Sequence, residues 1–299
     1  MLDVVDIAGL VRGASKGEGL GNQFLGQIRE VEAILHVVRC FEDDQVSHVE
    51  GPVDPIRDIE LIETELMLAD LESLERQLDG VTKRARGDDK EAKALKPLIE
   101  AALEVLRDGR PVRALTVSAA ERGLLKMLHL LTAKPVLYVS NVDEHDLDGG
   151  EGSNVAAVKA HAQISGDELV LVSARIEQEI AMLYHQERSV FLNDLGLAES
   201  GLDRVIRAGY SLLGLRTFFT AGPKEARAWT IKSGMTASAA AGVIHTDFER
   251  GFIRAETIAY DDFVALGGEQ GARDAGRLRL EGRDYVVNDG DIMHFRFNV

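Results

Sequence analysis

Cysteine is almost missing from this chain. Cys40 is alone among 299 residues, so no internal disulfide can form, and the usage fits a reducing compartment with the cytoplasm as the expected location. Long apolar runs are missing as well: nothing approaches the roughly 18–20 consecutive apolar residues that span a bilayer. No basic segment leads into an apolar one near Met1, as a signal peptide requires, so no membrane contact is expected. Positive charge is short by a wide margin. A net charge of −16 argues against coating nucleic acid by bulk attraction, and DNA is not an expected partner, although a local basic patch stays open. The eight histidines show no His-x-x-x-His spacing and there is no Cys-x-x-Cys, which leaves out the usual zinc patterns. A metal here would be a hard ion held by carboxylate, hydroxyl and phosphate oxygens. Repeats and low-complexity tracts are also absent.

What is present is a globular mixture, 45% apolar and 28% charged, long enough for two or three domains. Three short, nearly continuous apolar runs read as buried strands: Ile34 to Val38, Pro135 to Ser140 and Glu168 to Val172. Val4-Val5 reads as the end of a further strand that stops at Asp6. Such runs separated by helical stretches predict an α/β fold with a parallel sheet covered on both faces, which binds ligands beyond the carboxyl ends of its strands. Between the first two runs, from about Asp54 to Asp108, the chain is helical and charged. Ile59, Ile62, Leu66, Ala69, Leu71, Leu74 and Leu78 form one apolar stripe; Ala94, Leu95, Leu98, Ala102, Leu103 and Leu106 form another after the break at Gly87-Asp88-Asp89. Two helices around a polar break predict an antiparallel hairpin. Lys83, Arg84 and Arg86 near its tip are either a solvated helix end or a docking patch. From about Leu215 short alternating runs (Trp229 to Ile231, Gly251 to Glu256, Tyr285 to Val287, Met293 to Phe297) predict a small mixed or antiparallel sheet, with Asn288-Asp289-Gly290-Asp291 as a hairpin turn between the last two.

Three candidate sites follow apparent strand ends in order. Asp6-Ile7-Ala8-Gly9 can hold Mg²⁺ through water at the carboxylate and approach a γ-phosphate with the glycine N–H. Asn141-Val142-Asp143-Glu144 follows the second run, and Ser173-Ala174-Arg175 the third. Each alone also reads as a turn; their succession at strand ends is what singles them out. With Gly13 to Asn22, Arg39-Cys40-Phe41-Glu42-Asp43, the helical insertion and the tail from His245 to Glu256, they make the chain resemble the YchF subfamily of Obg-related P-loop NTPases along its whole length.

That resemblance implies a P-loop NTPase-type G domain at residues 1–53 and 131–214, a helical coiled-coil insertion at 54–130 and a ubiquitin-like TGS domain at 215–299. It implies ATP in preference to GTP, because the guanine-reading Asn-Lys-x-Asp of the superfamily is here Asn141, Val142, Asp143 and Glu144. Asn141, Val142 and Glu144 would surround adenine, Ser173 and Ala174 would support it through backbone groups, Gly9 would sense the γ-phosphate and Asp6 would hold Mg²⁺. Leu10 stands where many GTPases have a water-orienting Gln and has neither donor nor acceptor. His48 occupies the position of a histidine held to activate water, though an exposed loop histidine is the other reading. Cys40 is either a buried small residue or a redox switch. The ribosome or a subunit of it is the implied partner, with RNA contact through the TGS domain and the helical hairpin; no stacking platform of aromatic residues marks a base-reading site.

One expected part is not in the sequence. No glycine is followed by lysine, so the Gly-x-x-x-x-Gly-Lys-[Ser/Thr] loop that cradles phosphates is absent. The natural product is therefore expected to start upstream, and the chain as given to be impaired as an ATPase. The rival reading is a non-catalytic ribosome- or RNA-binding adaptor.

Overall fold

The three apolar runs pair side by side. The protein is seen here in a computed structural model that describes residues 2–7, 21–43, 45, 46, 48, 51–147, 152–222 and 225–298, without the side chains of residues 21–23. Helix α1 (Gly21–Glu30) leads into β1 (Ile34–Arg39). The helices α2 (Pro55–Ala85) and α3 (Lys90–Arg107) follow, then a 3₁₀ turn at Val112–Ala114 and α4 (Ala119–Lys126). Next come β2 (Val136–Asn141), α5 (Ser153–Ser165), β3 (Glu168–Val172), α6 (Ala174–Met182), α7 (His185–Asp194) and α8 (Gly201–Leu212). The sheet order is β1-β2-β3, all parallel, with Ile34 opposite Val136 and Leu137 opposite Glu168. Central β2 is buried from Val136 to Ser140, as the continuous apolar run requires. Its partners Val38, Cys40, Val142, Val155, Val158 and Ile176 share its core cluster.

At the other side of β1 no described strand pairs, and Val37 is 65% exposed. The strand expected at Val4-Val5 does not form: residues 2–7 are irregular, and Val4 and Val5 are 71% and 58% exposed. A strand exists through its ladder, and an apolar dipeptide without a neighbour has nothing to hold it extended.

The helical hairpin is built from its caps. Asp54 accepts a hydrogen bond from the Arg57 N–H, and Pro55 fills the first helical position, where a missing N–H is harmless. Asp89 caps α3 through the Ala92 N–H. The two stripes meet as a seam in which Leu74, Val81, Ala92, Leu95, Ile99, Ala102, Leu103 and Leu106 are buried.

The root of this arm is polar. Asp70, in α2, is fully buried and accepts from the Leu131 N–H at 2.9 Å, the Thr132 N–H at 2.7 Å and the Thr132 hydroxyl at 2.7 Å. Burial pushes its carboxyl up against these bonds, which favour the charged form. Two turns earlier Glu63 accepts from Arg113, which also pairs with Asp167 at 3.2 Å, and from the Tyr138 hydroxyl at 3.1 Å. Burial alone lowers the Arg113 pKa; Asp167 and Glu63 outweigh it and hold the guanidinium above its ordinary value. His161 lies 3.3 Å from the same hydroxyl, and His36 faces the Tyr138 ring at 5.6 Å.

The residues Val5–Gly209 form one compact unit and Tyr210–Val299, with Met1–Val4, another. The second contains β4 (Leu215–Ala221), β5 (Ala226–Lys232), α9 (Ala237–Ile244), α10 (Thr246–Arg250), β6 (Phe252–Ile258), α11 (Tyr260–Ala265), α12 (Glu269–Asp274), β7 (Arg279–Glu281) and β8 (Ile292–Phe297), in a mixed sheet ordered β5-β4-β8-β6-β7. The hairpin expected at Asn288 to Asp291 is not one: Tyr285 to Val287 makes only a single bridge, Thr236 to Val286, and β8 pairs with β4 and β6. The turn is instead tied sideways to β4. Asp289 accepts from the Thr217 N–H at 2.7 Å, and buried Asp291 accepts from the Asn288 N–H at 2.9 Å and the Tyr285 hydroxyl at 2.7 Å. Among the described residues no helix is long and apolar enough to cross a membrane.

Replacing Asp70 by alanine strands two buried N–H groups and a hydroxyl, so urea denaturation should show a loss of about 3 kcal/mol, with Asp70→Asn losing less because one acceptor oxygen remains. His36 supplies a pH dependence. Burial lowers its pKa from 6.5 to about 4, so between those values the unfolded chain takes up a proton that the folded one refuses. Stability therefore falls as pH drops through that window and is untouched by this group above it. The full shift corresponds to about 3 kcal/mol, an upper bound because His36 is only partly covered. Denaturation from pH 7 to pH 4 should give a shallower decline for His36→Phe than for the parent; equal slopes would exclude the assignment.

Candidate functional site

The strand ends lie level. Arg39 is opposite Asn141, and Asn141 opposite Val172, so the segments that follow β1, β2 and β3 leave the sheet side by side at its carboxyl edge. This is where a parallel sheet of this kind accepts ligands.

Asn141 is the last residue of β2, and its side-chain oxygen accepts a hydrogen bond from the Ala174 N–H at 3.0 Å. That bond joins the loop after β2 to the first residue of α6. The Ala174 N–H is one of the free donors of a helix N-terminus, and Asn141 occupies it. Ser173, at the cap position, is 3% exposed. Val142 is 2% exposed, lies in the core cluster and donates its N–H to the Val172 carbonyl at 2.8 Å, which extends the ladder one residue beyond the strand. Asp143 accepts from the Glu144 N–H at 3.0 Å and so starts the 3₁₀ turn Glu144–Asp146, with the Glu144 carboxylate exposed. The structure thus brings Asn141, Ser173 and Ala174 together, turns Val142 inward and leaves Glu144 facing solvent.

His48 sits at the other end of the loop that follows β1. Its Nε2 is 2.9 Å from an Asp58 carboxylate oxygen in the first turn of α2, and both side chains are largely covered. Arg57 donates to the Pro52 carbonyl at 2.8 Å and lies beside Asp58. Arg39, the first residue of the run Arg39 to Asp43, organises the start of the same loop. Its guanidinium donates to the carbonyls of Phe41, Asp43 and Val46 and stacks on the Phe41 ring at 4.6 Å. A cation at the end of a strand, followed by a polar loop with few apolar anchors, is the signal that marks it.

Asp6 is exposed in the irregular segment, and Gly9, with Leu10, lies outside the described residues. Among the described residues no three His, Cys, Asp or Glu side chains come together as a metal cage. Asp6 alone does not make a magnesium site. The segments after β2 and β3 present an exposed carboxylate, at Glu144, and a fixed amide, at Asn141, beside the N-terminus of α6. Cys40, one residue past β1, is 4% exposed, and burial pushes its thiol up.

Comparison with known proteins bears on the chain as a whole. The family model named YchF-GTPase_C, described as a protein of unknown function (DUF933), matches residues 215–298. A Bacillus subtilis protein named ribosome-binding ATPase YchF is 53% identical over 298 residues, covering 99% of this chain and 81% of its own. The Escherichia coli O157:H7 protein of the same name is 55% identical over 299 residues, covering 100% and 82%. Among solved structures, the Schizosaccharomyces pombe YchF GTPase superposes with a TM-score of 0.81 at 38% identity, over 93% of this chain and 75% of that one. A Pyrococcus horikoshii GTP-binding protein, at 20% identity and a TM-score of 0.56, shares the fold.

A thiol that is both buried and held protonated is a poor nucleophile. In the native protein Cys40 should react with a chromogenic disulfide on the order of 100-fold more slowly than after denaturation; rapid native labelling would reopen a redox role.

Proposed function

Because the chain belongs to the YchF family, whose P-loop NTPase-type α/β fold with a C-terminal domain it shares, we propose that it serves a nucleotide-dependent switch that binds ATP, hydrolyses it slowly and contacts the ribosome in the cytoplasm. The observation that carries the reading is the hydrogen bond from the Ala174 N–H to Asn141, which joins two strand-end loops into one edge. In this assignment residues 1–53 and 131–214 form the nucleotide-binding part, 54–130 the arm, and 215–299 a ubiquitin-like TGS domain.

Adenine preference follows from side-chain chemistry. Guanine recognition in this superfamily uses a short carboxylate that accepts from two ring-edge donors, with a lysine stem covering the base. Glu144 is one methylene longer, and adenine offers it an N6 donor. Val142 cannot be replaced by a base-covering lysine without taking a charge into the core, where it would be unpaired. Ser173 and Ala174 hold the base loop in place, and Gly9 senses the γ-phosphate. Hydrolysis is slow because Leu10 cannot orient water; His48, held by Asp58 at 2.9 Å, is the group to accept the water proton once its loop closes. Ribosomal RNA contact is assigned to the arm's tip, around Lys83, Arg84 and Arg86, and to the C-terminal domain.

Displacement of a fluorescent adenine nucleotide, measured with a phosphate-binding loop segment joined to the chain, tests the base site, and co-sedimentation with ribosomes tests the partner. Asn141→Ala should weaken nucleotide binding at least tenfold, and Glu144→Asp should shift the GTP-to-ATP ratio about tenfold toward GTP, the size of one charge-assisted hydrogen bond. Ribosome pelleting that ignores both nucleotide and the Asn141 variant would favour the adaptor; neither pelleting nor displacement would overturn the proposal.

A further inference from the structure

The polar groups at the root of the helical arm do more than satisfy one another. Glu63 and Asp70 lie on the same face of α2, seven residues apart, which is about 10 Å along the helix. Each is bound to a different part of the body. Glu63 meets Arg113 and the Tyr138 hydroxyl of the central strand, and Arg113 in turn meets Asp167 just before β3. Asp70 meets Thr132, whose hydroxyl also accepts from the Val112 N–H at 3.2 Å and whose carbonyl accepts from the Arg113 N–H at 2.9 Å. Thr132 therefore connects the two anchors.

One attachment point lets a rod pivot; two points a couple of turns apart fix its direction. From these residues we propose that the Glu63–Arg113–Asp167 and Asp70–Thr132 contacts form a two-point clamp that makes the helical arm a rigid lever on the sheet. From Asp70 to Arg86 the lever is about 24 Å long, so a tilt of the sheet at the clamp is carried to the tip without being absorbed by bending. The apolar contacts beneath, such as Ile59 with the sheet core and Leu66 with Leu131, hold the arm on the body but are non-directional. Largely covered ion pairs of this type are better suited to fixing one arrangement than to adding stability. The proposal does not depend on which nucleotide the chain binds.

Spin labels at two exposed positions, Lys83→Cys near the tip and Lys159→Cys on α5, in a Cys40→Ala background, allow pulsed electron–electron distance measurement. The parent should give a single narrow distribution, and a broad one overturns the clamp. The combined variant Glu63→Gln, Arg113→Met, Asp167→Asn removes every charge of the first anchor together and should at least double the width. Thr132→Val removes only the hydroxyl that links the second anchor; it tests the same idea in a mildly altered core, and should broaden the distribution less. Arg107→Ala, which breaks the exposed Arg107–Glu75 pair of the arm, should leave the width unchanged. Either clamp variant that folds, by a cooperative melt, and keeps the parent's width overturns the proposal.

Discussion

Everything in the larger unit is arranged around one requirement: β2 must satisfy its backbone with no water within reach. Val136 to Ser140 are buried without a break, so each N–H and C=O must find a partner in β1 or β3. The parallel ladders on both sides supply them. Parallel pairing brings all three carboxyl ends to one edge and places the crossing helices on the faces. Asn141, Val142 and Glu144 stand where they do because the chain leaves the water-free layer at that point. Val142 keeps one further ladder bond, to Val172 at 2.8 Å, and remains inside; two residues later Glu144 is in solvent.

The same buried layer explains why its boundary is ionic. Tyr138 carries a hydroxyl into the space between sheet and arm, and burial with Glu63 close by raises its pKa. A hydroxyl there needs a partner. Glu63 accepts from it, Arg113 compensates Glu63, and Asp167 completes the neutralisation of the guanidinium. A single polar atom on a core strand thus draws in residues from the arm, from the connector after α3 and from the start of β3. Removing one member leaves the others charged and largely covered, which is the costly direction of change.

Periodicity made the three strands and both helices of the arm legible, since each is a local pattern and its apolar face is buried as a unit. The caps are equally local, Asp54 and Asp89 each acting three residues along the chain. The ionic root was not readable. Glu63 and Arg113 are 50 residues apart, and Asp70 and Thr132 are 62 apart; nothing local distinguishes these charges from the solvated ones around them. The turn at Asn288 to Asp291 carries every local mark of a hairpin, but Thr217, distant in sequence, binds Asp289 and takes it elsewhere. At the candidate site the residue positions at strand ends were readable from the runs, while the bond from Ala174 to Asn141 spans 33 residues and needed the fold.

The tail motif from His245 to Glu256 shows what kind of information such a signature holds. His245 caps α10 through the Asp247 N–H at 3.2 Å, and Phe248 stacks on Phe297 with ring centroids 3.8 Å apart. A Cβ at Gly251 would lie 2.2 Å from the Asn298 carbonyl oxygen, so only glycine lets those two backbones meet. Ala255 is fully buried, and Glu256 forms paired hydrogen bonds with Arg296 at 3.2 Å. Caps, a stack, a close approach and a cross-strand ion pair account for most of the motif as folding chemistry. Its length makes the family assignment specific because many packing constraints coincide in twelve residues. Thr246, Glu249, Arg250, Ile253 and Arg254 are exposed, and it is in such exposed residues, rather than in the signature as a whole, that a partner-contacting function of this domain has to be sought.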